Sequence, residues 1–172
     1  MFKMATYCLA IIAICLLPIG CSREVPAENE ALVVKPPTGW HLEHQTAEGL
    51  DFYSLRTDSK DHALLMFSKW PPPSKPDEIP SIVQTLAEGF LDQAKESTEF
   101  SLVDERYEIE QFSGDHCKGS YAVFRIETAD THTVQTMFMM SVDGQIWNGQ
   151  FTGPSERWIE ALKLLTTIKT KS

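Results

Sequence analysis

Of the four cysteines in 172 residues, three fall within the first 21, so the rest of the chain holds Cys117 alone and can close no internal disulfide. Basic residues are also few: 15 Lys and Arg stand against 24 Asp and Glu, a formal charge of −9. Those present, among them Arg56, Lys69, Lys95, Arg125 and Arg157, are scattered and form no stripe. A surface that holds phosphates must neutralise them with clustered cations, which argues against nucleic acid as a partner. The same acidic balance repels anionic headgroups, so membrane attachment has to come from an anchor and not from charge. Glycine-rich phosphate loops, paired metal-ligand spacings and nucleophile motifs are missing, and no cofactor is expected. No apolar run reaches the roughly 20 residues that a bilayer-spanning helix needs. What remains is an ordinary globular composition, 42% hydrophobic and 23% charged, sufficient for one domain with a single core.

The N-terminus supplies an anchor. Lys3 is followed by an apolar run from Met4 to Ile19, relieved only by Thr6 and Tyr7, and then by Gly20, Cys21 and Ser22. A basic flank, a short apolar stretch and a small residue before the cut are the parts of an export signal. Pro18 disfavours helix near the end of the run and leaves an extended stretch for a peptidase. The segment Leu17-Pro18-Ile19-Gly20-Cys21 resembles the lipobox of bacterial lipoproteins, with Pro18 standing where that pattern usually has leucine or another apolar residue. The resemblance implies removal of residues 1–20 by cleavage between Gly20 and Cys21, with diacylglycerol on the Cys21 thiol. Loss of Lys3 with the signal would take the formal charge from −9 to −10. Ser22 follows in place of Asp, which in a Gram-negative cell implies the periplasmic side of the outer membrane. Residues 21–37, polar and framed by Pro26, Pro36 and Pro37, read as a flexible tether. The folded domain is then expected over residues 38–169.

Within it the hydrophobic period changes from two to 3.6 and back. Strands are expected at Trp40 to His44, Leu50 to Thr57 and Ala63 to Trp70, ending at the proline run Pro71-Pro72-Pro73. Ile82, Leu86, Phe90 and Ala94 recur every fourth residue and predict a helix from Ser81 to Ser97, with Ser81 as its N-cap. Four more strands follow: Ser101 to Phe112, Gly119 to Thr128, Thr133 to Val142 and Gln145 to Phe151. Asp143-Gly144 between the last two suits a two-residue hairpin, since both residues tolerate positive φ. Val134, Thr136, Phe138, Met140 and Val142 share one strand face, and Met137 and Met139 lie on the other, so this strand should be covered on both sides. A final helix is expected from Ser155 to Ile168, with Pro154 near its start. Short turns make neighbouring strands antiparallel, and the fold class is α+β, a sheet of six to seven strands with packed helices.

The opening Pro37-Thr38-Gly39-Trp40, the strands before the first helix, the hairpins ending at Asp143-Gly144 and the closing Trp158-Ile159-Glu160-Ala161-Leu162 resemble the PsbP-like superfamily over roughly Pro36 to Lys169. That resemblance implies an antiparallel sheet between helices in an α/β/α sandwich. It also implies a binding or assembly module and not an enzyme, and it carries over no functional residue.

Individual candidates read as structural. Cys117 beside His116 is expected to be a small residue at a strand start, since neighbours on a strand point to opposite faces. His41 and His44 diverge for the same reason, and His132 sits in a turn. Asp104, Glu105, Glu108 and Glu110 form an acidic stretch, with Asp104, Glu108 and Glu110 expected on one face as a solvated sheet edge. Trp147 is expected in the core. Catalytic and metal residues are therefore expected to be none. The leading functional expectation is a non-enzymatic, membrane-anchored envelope lipoprotein that binds a protein partner or assists assembly of an envelope complex. A small-molecule or metal carrier is the alternative.

Overall fold

The computed structural model describes residues 32–47, 50–57, 62–70, 75–98, 100–104, 106–127 and 132–171. The signal, Gly20 and Cys21 lie outside these residues. The strands are β1 (Leu32–Val33), β2 (Trp40–Ala47), β3 (Leu50–Thr57), β4 (Leu64–Lys69), β5 (Ser101–Leu102), β6 (Ile109–Ser113), β7 (Cys117–Glu127), β8 (His132–Val142), β9 (Gln145–Gly153) and β10 (Lys169–Thr170). The helices are α1 (Ile79–Glu96) and α2 (Ser155–Leu165). The main sheet is antiparallel throughout, in the order β2-β3-β4-β9-β8-β7-β5, and β6 also pairs with β7. The described residues form an α+β fold with an eight-stranded sheet and two α-helices.

Alternating side chains divide the sheet into two faces, and each has its own core. On the first, Trp40, Tyr53, Leu55, Leu65, Phe67, Phe138, Met140, Trp147 and Phe151 pack under Trp158, Ala161, Leu164 and Leu165 of α2. On the second, Ala122, Phe124, Met139 and Ile146 pack under Ile79, Val83 and Ala87 of α1. Strand β8 serves both: Phe138, Met140 and Val142 lie in one core and Met139 in the other, all fully buried. Two-sided burial is what its two apolar faces predict. The β8–β9 turn is also as expected, with φ of 47° at Asp143 and 85° at Gly144.

Several boundaries differ from the sequence reading, and four of the differences have a physical reason. The folded body begins earlier than residue 38: Leu32–Val33 pairs with Lys169–Thr170, and Leu32 is completely buried with its N–H donating to the Tyr53 hydroxyl at 3.1 Å. Two residues are too short to register as a period, which is why they merge with the tether in sequence. The expected strand Ser101 to Phe112 is two strands. Between them Asp104 Oδ1 accepts the Arg106 N–H at 2.9 Å, a local bond that competes with a ladder. Helix α1 starts two residues before Ser81, after a 3-10 turn at Pro76–Glu78. Ser81 is therefore not the cap but a first-turn residue whose hydroxyl donates to the Glu78 carbonyl at 2.8 Å. Pro80 sits in the first turn, where its missing N–H costs little. Helix α2 stops at Leu165, and Ile168 reaches the core from the chain beyond it.

Candidate functional site

The two faces are not equally covered. Helix α1 lies over β7 and β8 and touches β5 and β6, while α2 occupies the opposite face. Among the described residues, neither helix packs over the second face of β2, β3, β4 and the outer half of β9. The register assigns that face to Phe52 and Ser54 of β3, Leu64, Met66 and Ser68 of β4, and Asn148, Gln150 and Thr152 of β9. Met137 of β8 joins it opposite Gln150, so Gln150 stands between Met66 and Met137. All of these side chains are half-buried. Polar groups within the patch are tied down in the plane of the sheet: the Ser68 hydroxyl donates to Asn148 Oδ1 at 3.0 Å, and the Thr152 hydroxyl to Gln135 Oε1. The result is an area of thioether, aromatic and polar groups, rimmed by the Arg56–Glu43 ion pair at 2.5 Å.

Two grooves, both open to solvent, lie away from this face. One groove of about 400 Å³ lies at the start of α2, lined by Pro154, Glu156, Arg157 and Glu160. Two of its charges are engaged with each other: Arg157 Nη1 donates to both Glu160 oxygens, at 3.0 and 2.8 Å, and the Trp40 indole N–H donates to Glu160 Oε2 at 3.0 Å. The bonds from Trp40 and then Arg157 hold the Glu160 carboxyl below its ordinary value. A second groove, about 350 Å³, runs between the start of α1 and the β6–β7 hairpin beside Pro76, Pro80, Gln111 and Lys118. Among the described residues no group of three or more His, Cys, Asp or Glu could hold a metal.

The residues singled out in sequence are dispersed. Cys117 opens β7, is buried, and donates its thiol to the Leu165 carbonyl at 3.0 Å; burial pushes the thiol pKa up. Its neighbour His116 bonds instead to Asp143 at 3.2 Å. His41 and His44 do point to opposite faces. His44 stacks on Tyr53 with centroids 4.4 Å apart and bonds to Asp51 at 3.2 Å, while His41 pairs with Arg56 on the other face. The acidic stretch is not one face: Asp104 closes its turn, Glu108 lies off the strand, and Glu110 accepts the Tyr121 hydroxyl at 2.6 Å. Burial first, then Glu110, pushes the Tyr121 pKa up to about 12. Glu105 lies outside the described residues. Trp147 is fully buried, with its indole N–H unpartnered among the described residues and Tyr53 and Phe67 edge-on at 5.7 and 6.3 Å. His132, at the first residue of β8, is exposed and sits 3.7 Å from Glu127.

Neither the uncovered face nor the Trp40–Glu160 link was visible in sequence. The first requires knowing that β4 neighbours β9, and the second joins residues 120 apart. No family model matches the chain, and no curated protein matches it. Among solved structures, it is similar to LpqN of Mycobacterium tuberculosis, described as involved in cell envelope biogenesis. The identity is 9% and the TM-score 0.46, over 82% of this chain and 83% of that one.

Proposed function

We propose that this chain is a lipid-anchored protein of the bacterial cell envelope whose domain binds a protein partner and transforms no substrate. The anchor is read from Leu17-Pro18-Ile19-Gly20-Cys21, with cleavage after Gly20 and acylation of Cys21. In a Gram-negative cell Ser22 favours the outer membrane. One helix on each face of an antiparallel sheet supports the PsbP-like reading, with its implication of a binding or assembly module.

The observation that carries the binding function is the uncovered half of the second sheet face. Burying apolar surface is favourable at roughly 25 cal/mol per Å². A face bearing Phe52, Leu64, Met66 and Met137 gains by being covered, and methionine adapts its shape to what covers it. Sparsely charged sheet surface of this kind, with apolar groups spread over several strands, suits a protein partner.

The test has two parts. The mature protein isolated from membranes should have the mass of a chain starting at Cys21 plus acyl groups, and Cys21→Ser should release it. A photo-crosslinker at Gln150 should then give a discrete adduct in cells, whereas one at Glu88, on the outer side of α1, should give none. Equal adducts at both positions would sink the assignment of the face, and an unacylated soluble chain would sink the anchor.

A further inference from the structure

The groove between the start of α1 and the β6–β7 hairpin differs from the other in how its charge is placed. Its lining holds one cation, Lys118, and no carboxylate, in a chain with 24 acidic residues against 15 basic ones. Lys118 forms no ion pair among the described residues, whereas Arg157 in the other groove is held by Glu160. Asp77 and Glu78 precede α1 but do not line the groove, and Glu78 Oε2 accepts the Lys75 N–H at 3.1 Å. The groove meets the first residues of α1, an 18-residue helix whose N-terminal end carries the positive end of its dipole.

The floor of the groove carries a second, independent feature. Ser120 stands in register with Gln111 on one side and Met139 on the other, on the sheet face that α1 covers. Further along that face the sheet offers α1 Ala122 and Phe124 to pack on, but at the helix start it offers a hydroxyl. Ser120 is only 2% exposed and lines the groove, and its hydroxyl makes no hydrogen bond among the described residues. A buried hydroxyl is costly to leave unpaired, so this one calls for an acceptor from within the groove. Lys118 lies two residues away on the same strand face, about 7 Å along β7, within reach of a ligand that Ser120 also touches. The opposite wall is apolar, made by Pro76, Ile79 and Pro80. At about 350 Å³ the groove is at the small end of ligand sites. We propose that it binds a small monocarboxylic acid, with Lys118 and Ser120 donating to the carboxylate oxygens and the apolar body lying on Pro76, Ile79 and Pro80. One unpaired cation matches one negative charge, while a phosphate dianion would be left half neutralised and would gain nothing from the apolar wall. The site is at the β6–β7 end of the sheet, away from β2, β3, β4 and β9, and is independent of the uncovered face.

Titration of the isotope-labelled full chain, in a neutral detergent at constant ionic strength, with sodium butyrate tests this through the amide NMR signals of Lys118, Gly119 and Ser120. Those signals should move and saturate. Butyramide, which has the same body without the charge, should bind at least about tenfold more weakly, and inorganic phosphate should not displace butyrate. Lys118→Gln should weaken butyrate binding about tenfold and Ser120→Ala about three- to tenfold, while Lys69→Gln, on another strand, should leave it unchanged. Far-ultraviolet circular dichroism checks that each variant is folded. No saturable shift, equal binding of butyramide, displacement by phosphate, shifts confined to residues outside the groove, or full affinity in the Lys118 and Ser120 variants would each overturn the proposal.

Discussion

Trp40 and Glu160 meet across most of the chain, and that one bond fixes the start of β2 to α2. A neutral hydrogen bond contributes about 0.5–1.5 kcal/mol net, and one to a charged group more. Because Glu160 is partly exposed, solvent screening trims this bond to the low end. A double-mutant cycle on Trp40→Phe and Glu160→Ala should return a coupling of about 0.5–1 kcal/mol in urea unfolding, and zero coupling would show that the bond contributes nothing. Glycines give a sharper contrast. At Gly149 an added methyl would run into the Met66 carbonyl and the Phe138 ring, so Gly149→Ala should cost about 2 kcal/mol. Gly89 is exposed in mid-helix with nothing within 4 Å, and Gly89→Ala should stabilise by up to about 1 kcal/mol. Thermal melts of the two variants should therefore shift in opposite directions. The sequence marks both as glycines and cannot tell them apart, because the obstructions at Gly149 belong to the two neighbouring strands, β4 and β8.

At the scale of elements, periodicity succeeds where a segment is long enough to repeat. Helix α1, the hairpin at Asp143-Gly144 and the two-sided strand β8 are legible because each shows several turns or alternations, or a turn that few residue pairs can make. Strand β1 is not legible, since two residues carry no period, and Asp104 splits β5 from β6 through a bond to a residue two positions on. The uncovered face fails for a different reason. Alternation tells which residues share a face of one strand, but only strand order tells that Met66 and Met137 flank Gln150. Strand β1 also makes a testable claim about where the body starts. Leu32 is fully buried, so Leu32→Ala should cost about 3 kcal/mol. A chain beginning at Thr38 should melt below one beginning at Leu32, and equal melting temperatures would place β1 outside the cooperative unit.

The whole molecule responds to pH through a few groups whose folded and unfolded protons differ. Asp143 is held below the ordinary carboxylate value, chiefly by the backbone and side-chain bonds from Thr170 at 3.0 and 2.7 Å and then by His116. Its folded form binds a proton less readily than its unfolded form. The stability it adds is therefore complete above the ordinary value and is lost as pH falls through the lower folded one. Glu160 behaves in the same sense. Tyr121 is the reverse: its folded pKa of about 12 exceeds the ordinary 10.0, so its contribution is complete below 10.0 and disappears as pH rises towards 12. Stability followed by urea midpoint should drop at both ends, with Asp143→Asn flattening the acid limb and Tyr121→Phe the alkaline one. Unchanged limbs in these variants would show that other groups set the pH range.

Uneven coverage of the sheet has a consequence for what could lie on it. The uncovered second face of β2, β3, β4 and β9 is four strands across, and at about 4.8 Å per strand that is a floor of roughly 19 Å, walled on one side by α1. A helix is about 10 Å across, so such a floor has room for one or two lying in parallel. It is half a trough, with one wall.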